Sequence, residues 1–299
     1  MQPGIFRGKD IECVLQIEAT VGESPVWSVR EQALYWVDIL GKKVHRYHPD
    51  TGHNESFDLS EEVTCAALRE RGRLVLTLRK NFAYFDPATG SLDILMAPEG
   101  EAPENRFNDG KVDRQGRFWA GSMNDSSWDA ATGNLYRLDP DKSLTRVWGS
   151  VACTNGLGWS PDDRVLYFGE SFRYAIFAYD FDGATGQISN RRVFASIDHS
   201  NGAFPDGLTV DAEGGVWSVH NAVGRVVRYD PAGRVTAVID MPLPQPTSVM
   251  FGGTKLDTLY ITTSRQNLSA SQLAAFPLSG SLFAVRPGVV GLPEASFAG

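Results

Sequence analysis

Pro205-Asp206-Gly207-Leu208-Thr209-Val210-Asp211 is followed by Gly215-Val216-Trp217-Ser218 and then by Val226-Val227-Arg228-Tyr229. A carboxylate beside a glycine stands at the mouth of a short alternating run. An aromatic run and a third run come after it, each across a turn. β-branched and aromatic residues at alternate positions, punctuated by Gly, Pro and Asp, specify strands. Outward from this stretch the same unit recurs. The other aromatic runs are Leu34-Tyr35-Trp36-Val37, Leu74-Val75-Leu76-Thr77, Arg117-Phe118-Trp119-Ala120, Val165-Leu166-Tyr167-Phe168 and Thr258-Leu259-Tyr260-Ile261. Counting all six, their first residues lie 40, 43, 48, 50 and 43 positions apart. A period of about 45 residues with room for four strands is the signature of a propeller blade. The sequence therefore predicts an all-β chain with no helix: a six-bladed β-propeller of four-stranded blades, residues 1–299 forming one domain. A β-sandwich would account for the strands but not for the repeat.

A propeller ring must close. The run Ile11-Glu12-Cys13-Val14-Leu15 precedes the first copy without a partner, while the last copy ends near Pro287 in a tail broken by Gly and Pro. The N-terminal run is predicted to supply the outermost strand of the last blade, covering two exposed edges at once.

In such a ring the first strand of each blade lines the central channel, and the loops entering those strands gather at one end. Glu23 (in Gly22-Glu23-Ser24-Pro25-Val26-Trp27), Asn108 (in Asn108-Asp109-Gly110-Lys111-Val112-Asp113), Asn155 (in Asn155-Gly156-Leu157-Gly158-Trp159) and Asp206 occupy that position in copies one, three, four and five. Copies two and six have Thr64 and Thr247 or Ser248 there. Asn-Gly and Asp-Gly are also the commonest turn dipeptides, so any one match reads as a turn. Four at one repeat position do not follow from turn chemistry. A ring of inward oxygens with two carboxylates is costly unless a cation sits among them. Oxygen-only ligands suit Ca²⁺, Mg²⁺ or Mn²⁺, with zinc also acceptable.

The bulk composition narrows the partners. With 42% hydrophobic and 21% charged residues, the 299-residue chain has the make-up of a globular protein with a sizeable core. A formal charge of −8 disfavours nucleic acid and anionic membrane surfaces. No run approaches the roughly 18 apolar residues of a membrane span. Met1-Gln2-Pro3-Gly4-Ile5-Phe6-Arg7 lacks the basic and apolar regions of a signal peptide, so a cytoplasmic location with no obligate protein partner is expected. Cys13, Cys65 and Cys153 are too few and too scattered for a disulfide framework or a zinc site, and are expected as buried free thiols.

Taken together, Ile11 to Leu15, Gly22 to Trp27, Arg106-Phe107-Asn108-Asp109-Gly110-Lys111-Val112-Asp113, Thr154-Asn155-Gly156-Leu157, Pro205-Asp206-Gly207-Leu208 and Thr247-Ser248-Val249-Met250-Phe251-Gly252-Gly253 resemble the regucalcin/gluconolactonase family of six-bladed propeller lactonases, over essentially the whole chain. The resemblance implies that Glu23, Asn155 and Asp206 hold one divalent metal ion (Ca, Zn, Mg or Mn, with Fe also admitted). It implies that Arg106 and Asn108 face the substrate and that Asp206 is the general base. The implied reaction is hydrolysis of an aldonolactone, a small sugar lactone, to the open acid.

Three protein oxygens leave coordination positions open, as a catalytic centre requires, and a carboxylate must be in reach of the attacking water. Asp206 can take that proton only through an oxygen free of the metal; attack by a water already ionised at the cation is the alternative. The loop from Ser122 to Thr132 stands where relatives carry a substrate-covering lid, with Asn124, Asp125 and Ser126 in place of the consecutive glutamates of animal members. Asn124 and Asp125 are thus candidate substrate contacts, or members of a solvated loop. The segment Glu170-Ser171-Phe172-Arg173 and the pair His220-Asn221 are also placed near the pocket, His220 as a candidate substrate contact; His45, His48, His53 and His199 read as surface residues. The chain has no Gly-x-Ser-x-Gly elbow and no evident Ser/His/Asp set, which disfavours serine-esterase chemistry. Competing readings are hydrolysis of other esters or phosphotriesters, a calcium-binding regulatory protein, and a propeller interaction module.

Overall fold

The computed structural model describes residues 3–299. Six four-stranded antiparallel sheets stand around a central channel, with strand order running outward from the channel in each blade. The innermost strands are Gly22–Ser28, Val63–Leu68, Asn105–Val112, Thr154–Trp159, Phe204–Val210 and Pro246–Gly252. The aromatic runs form the second strands, as in Ala33–Asp38 and Val216–Asn221. One departure from the all-strand expectation is a short helix, Ala270–Ala275, started by a Ser269/Gln272 capping box in the last blade.

The blades hold together because each joint is oily. The buried hydrophobic residues form six clusters, and each spans the boundary between two adjacent blades. Trp36, Trp119 and Trp217 on second strands fill these joints almost without exposure. Two of them are anchored by the turn before them: the indole Nε1 of Trp119 donates to Asp113 and that of Trp217 to Asp211, each at 2.8 Å. Those aspartates also accept backbone N–H groups of their own turns, from Arg117 at 3.0 Å and Gly215 at 2.8 Å. One buried carboxylate thereby fixes both the turn and the aromatic wedge six residues later.

Closure follows the sequence expectation. Ile11–Leu15 pairs antiparallel with Leu282–Val285 as the outermost strand of blade six. An element that the sequence did not signal lies just before it: Gly4–Arg7 adds to blade five as a parallel fifth strand on Val235–Asp240. The N-terminal segment therefore bridges two blades. Removing residues 1–15 takes away both strands and the packing of Phe6 and Ile11. The truncation is expected to cost on the order of 3 kcal/mol and to lower the melting midpoint by about 6 °C. An unchanged midpoint would show that the ring closes without this segment.

The tail after blade six crosses the channel end opposite the mouths. Its backbone bonds in turn to Leu256, Ala212, Leu68, Glu70 and Gly116, in four different blades, and Phe297 is fully buried between blades two and three. The channel opens at one end.

Two placements differ from the sequence reading. His45 is 1% exposed, not superficial: it stacks on Trp36 at 4.0 Å, bonds Ser56 through Nδ1 at 2.8 Å, and burial pushes its pKa down to about 4. All three cysteines are free, but Cys13, on the ring-closing edge strand, is only partly buried.

Candidate active site

Each innermost strand breaks register with its neighbour at the same height. The shifts fall between Glu23 and Val26, Val63 and Cys65, Phe107 and Gly110, Asn155 and Leu157, Pro205 and Leu208, and Pro246 and Val249. Such bulges re-aim side chains. Here they turn Glu23, Asn108, Asn155 and Asp206 into one cleft of about 200 Å³ at the open end of the channel. Of the positions in blades two and six, Thr247 lines this cleft, whereas Thr64 bonds Thr77 within its own blade at 2.8 Å.

The glycines that follow two of these residues are required by the crowding of the first strands. A Cβ on Gly156, where φ is +39°, would lie 2.8 Å from the backbone oxygen of Asp206, and one on Gly207 would lie 2.1 Å from Ser248 Oγ. Asn-Gly and Asp-Gly here let neighbouring blades approach, which a hairpin turn would not demand.

The side chains around the cleft are held by specific bonds. Asn155 donates from Nδ2 to Ser171 Oγ at 2.8 Å, and Ser171 Oγ donates to the carbonyl of Pro205 at 2.8 Å. That leaves Asn155 Oδ1 buried without a hydrogen-bond partner. Asp206 Oδ2 accepts from Asn221 Nδ2 at 2.8 Å, and Glu23 Oε2 accepts from the backbone N–H of Ser24 at 2.8 Å. One oxygen of each carboxylate stays available.

A third carboxylate, Asp109, is buried close by and accepts from the N–H groups of Gly110 and Gly156 at 2.7 and 2.9 Å. The sequence showed it beside Asn108, but nothing in the turn dipeptide told which of the two would face the cluster. Burial pushes all three acids up, Glu23 well above the usual range, Asp109 also raised and Asp206 to about 7, and carboxylate repulsion adds to the rise of Glu23 and Asp206. Three crowded carboxylates and an unsatisfied amide oxygen are what a cation would relieve. Among the described residues no cluster of three His, Cys, Asp or Glu side chains assembles in ligating geometry.

Arg106 is strung between neighbours. Its Nε donates to Asp125 Oδ1 at 2.7 Å and its Nη1 to Asn108 Oδ1 at 2.8 Å, while Asn108 Nδ2 donates to the carbonyl of Thr154 at 2.8 Å. Arg79 holds the other oxygen of Asp125 at 2.6 Å. Asp125 thus orients Arg106 and does not itself line the cleft. Asn124 is likewise outside it: its Oδ1 accepts from the N–H groups of Ser126 and Ser127, bracing the loop. His220 is also outside, with Nε2 bonded to Tyr229 Oη at 3.0 Å and its pKa pushed down to about 4 by burial.

The loop contributes Met123 and Trp128 to the cleft, and the Glu170 to Arg173 segment contributes Ser171 and Phe172. Phe204, Gln245, Gln266 and Asn267 complete the walls. These were missed because single aromatics and amides in loops carry no pattern. Cys153 also reaches the cleft, but burial raises its thiol pKa, so it is a poor nucleophile.

Comparison with known proteins agrees with this geometry. The family model described as the SMP-30/Gluconolactonase/LRE-like region matches residues 21–265. A 6-deoxy-6-sulfogluconolactonase of Pseudomonas putida is 42% identical over 294 residues, which is 97% of this chain and 99% of that protein. Regucalcin of Danio rerio is 39% identical over 97% of this chain and 98% of its own. The crystal structure of a calcium-binding protein, regucalcin, from Agrobacterium tumefaciens superposes with a TM-score of 0.92 over 99% of both chains at 25% identity. With its six-bladed ring and the family pattern spanning blades one to six, the chain belongs to the SMP-30/gluconolactonase/LRE-like family.

Proposed function

We propose that this chain hydrolyses an aldonolactone to the open sugar acid, with one divalent cation held by Glu23, Asn155 and Asp206. The observation that carries the reading is the buried Asn155 Oδ1 without a partner, set beside two carboxylates that each keep an oxygen free. The donor set, two carboxylates and an amide, suits a hard cation. The names of the relatives, a sulfogluconolactonase and regucalcin, point the same way. When bound, the cation supplies polarisation of the lactone carbonyl and stabilisation of the oxyanion.

The chain's own groups do the rest. Asp206, steadied by Asn221 through Oδ2, takes the proton of the attacking water through the oxygen that the cation does not hold. The ring oxygen leaves as that proton is returned to it, giving a hydroxyl and a free carboxylic acid. Arg106 has Nη2 left to bind a substrate oxygen, since Nε and Nη1 are occupied. An aromatic-walled cleft of about 200 Å³ beside the acids favours turnover over calcium storage, because a storage site needs no substrate-sized space beside it.

The test is acid release from a panel of aldonolactones, by metal-stripped protein and after adding back Ca²⁺, Mg²⁺, Mn²⁺, Zn²⁺ or Fe²⁺. Metal-dependent hydrolysis well above the spontaneous rate is expected. No such rate on any lactone would refute the reading.

A further inference from the structure

The two walls of the cleft differ in kind. One is aromatic: Phe172 and Phe204 stack with centroids 6.1 Å apart, and Trp128 tilts against Phe172 at 6.4 Å. The other is built of amides from blade six, Gln245 just before Pro246–Gly252, and Gln266 and Asn267 just after Thr258–Thr263. Backbone bonds fix this second wall. The N–H of Ser264 donates to the carbonyl of Gln245 at 2.9 Å, and the N–H of Gln266 donates to Ser264 Oγ at 3.0 Å. Asn267 sits at φ +60°, a left-handed position that asparagine tolerates well.

Within that wall, Gln245 Oε1 is buried without a hydrogen-bond partner. A buried acceptor left without a donor is destabilising, and a ligand hydroxyl would satisfy it.

Charge limits what the ligand carries. Among the described residues Arg106 is the one cationic side chain lining the cleft, and Asp125 is bonded to it at 2.7 Å. The other arginines adjoining cleft segments are engaged as well: Arg79 by Glu62 at 2.7 Å, Arg173 by Glu170 at 3.5 Å and Arg265 by Glu18 at 2.7 Å. With a divalent cation balancing Glu23 and Asp206, the one donor left on Arg106 is Nη2, on blade three, across the ring from the blade-six amides.

We propose, resting on the lactonase reading, that the substrate is an uncharged lactone and that Gln245, supported by Gln266 and Asn267, reads a hydroxyl on its distal carbon. The sugar's C–H face lies on the aromatic wall, and its far hydroxyl donates to Gln245 Oε1. A neutral amide wall rejects a sulfonate or phosphate at that carbon, because such a group brings a charge with nothing to pair it.

The experiment compares kcat/KM on three lactones that share one ring: D-glucono-1,5-lactone, the five-carbon lactone lacking the distal hydroxymethyl group, and the analogue with a sulfonate in place of the distal hydroxyl. Wild type is expected to prefer the first. Gln245→Leu is expected to lose about tenfold on the first, mainly through KM, and little on the second. Gln266→Ala should show the same selective loss in smaller measure, and it keeps the test decisive should Gln245→Leu melt early. Wild type favouring the sulfonated lactone, or variants with an unchanged ratio between the first two, would overturn the proposal and leave the lactonase reading standing. Wild type hydrolysing none of the three would remove both.

Discussion

Asp206→Asn is expected to lower kcat/KM on the preferred lactone by about a thousandfold or more, with the fold unchanged. The substitution keeps shape and volume, so the strand Phe204–Val210 and the close approach at Gly207 are undisturbed. It removes the proposed general base, and general-base catalysis alone is worth roughly a hundredfold to ten-thousandfold. It also replaces an anionic ligand by a neutral one, which weakens hold on the cation. Circular dichroism would report the fold and a pH-stat assay the rate. A variant retaining a tenth of wild-type activity would show that Asp206 is neither base nor essential ligand.

The second large effect is a stability that depends on pH in a direction opposite to that of ordinary carboxylates. Asp206 titrates near 7 in the folded chain against a usual value of 3.8, because burial and the charge of Asp109 disfavour its ionised form. A carboxyl raised by folding holds its proton more tightly in the native state. Its contribution therefore favours the fold fully below about pH 4 and is lost as pH rises through about 7. For a shift of this size the loss is on the order of 4 kcal/mol at most.

Metal-free wild type should accordingly fall in stability relative to metal-free Asp206→Asn between pH 5 and 8. A divalent cation binds the ionised carboxylates, so the rise in melting midpoint that it produces should grow over the same interval. Thermal melts at pH 5, 6.5 and 8, with and without cation, check both statements. A metal-induced shift that is flat or declining with pH would contradict this account of the site.

How much of this was readable from the residues depends on whether a residue repeats. The six aromatic strands and the inward positions Glu23, Asn108, Asn155 and Asp206 recur with the blade period, Ile11–Leu15 was the run left over from it, and the structure has each at the expected place in the ring. Features outside the period were illegible. Gly4–Arg7 pairs in parallel, a register that its side chains do not encode. Asn124 and Asp125 were placed at the substrate on the strength of a loop's location. The loop instead folds back, with Asn124 capping its own turn and Asp125 captured between Arg79 and Arg106. His220 sits next to a cleft residue, yet alternation along the strand sends Asn221 inward and His220 to Tyr229. Asp109 lay in view, but choosing between it and Asn108 required the bulge.

Because all six innermost strands carry that bulge at one height, the ring behaves as a fitted rack of six interchangeable sockets. Four of them hold Glu23, Asn108, Asn155 and Asp206, the proposed ligands and substrate contact, and two hold small hydroxyl residues, while the packing that keeps the blades together lies elsewhere, in the joints. Exchanging the occupant of a socket alters the chemistry at the mouth without touching a hydrophobic contact. Thr64 and Thr247, bonded to neighbouring hydroxyl and carbonyl groups, are where a chain of this architecture could acquire a different cation or a different reaction.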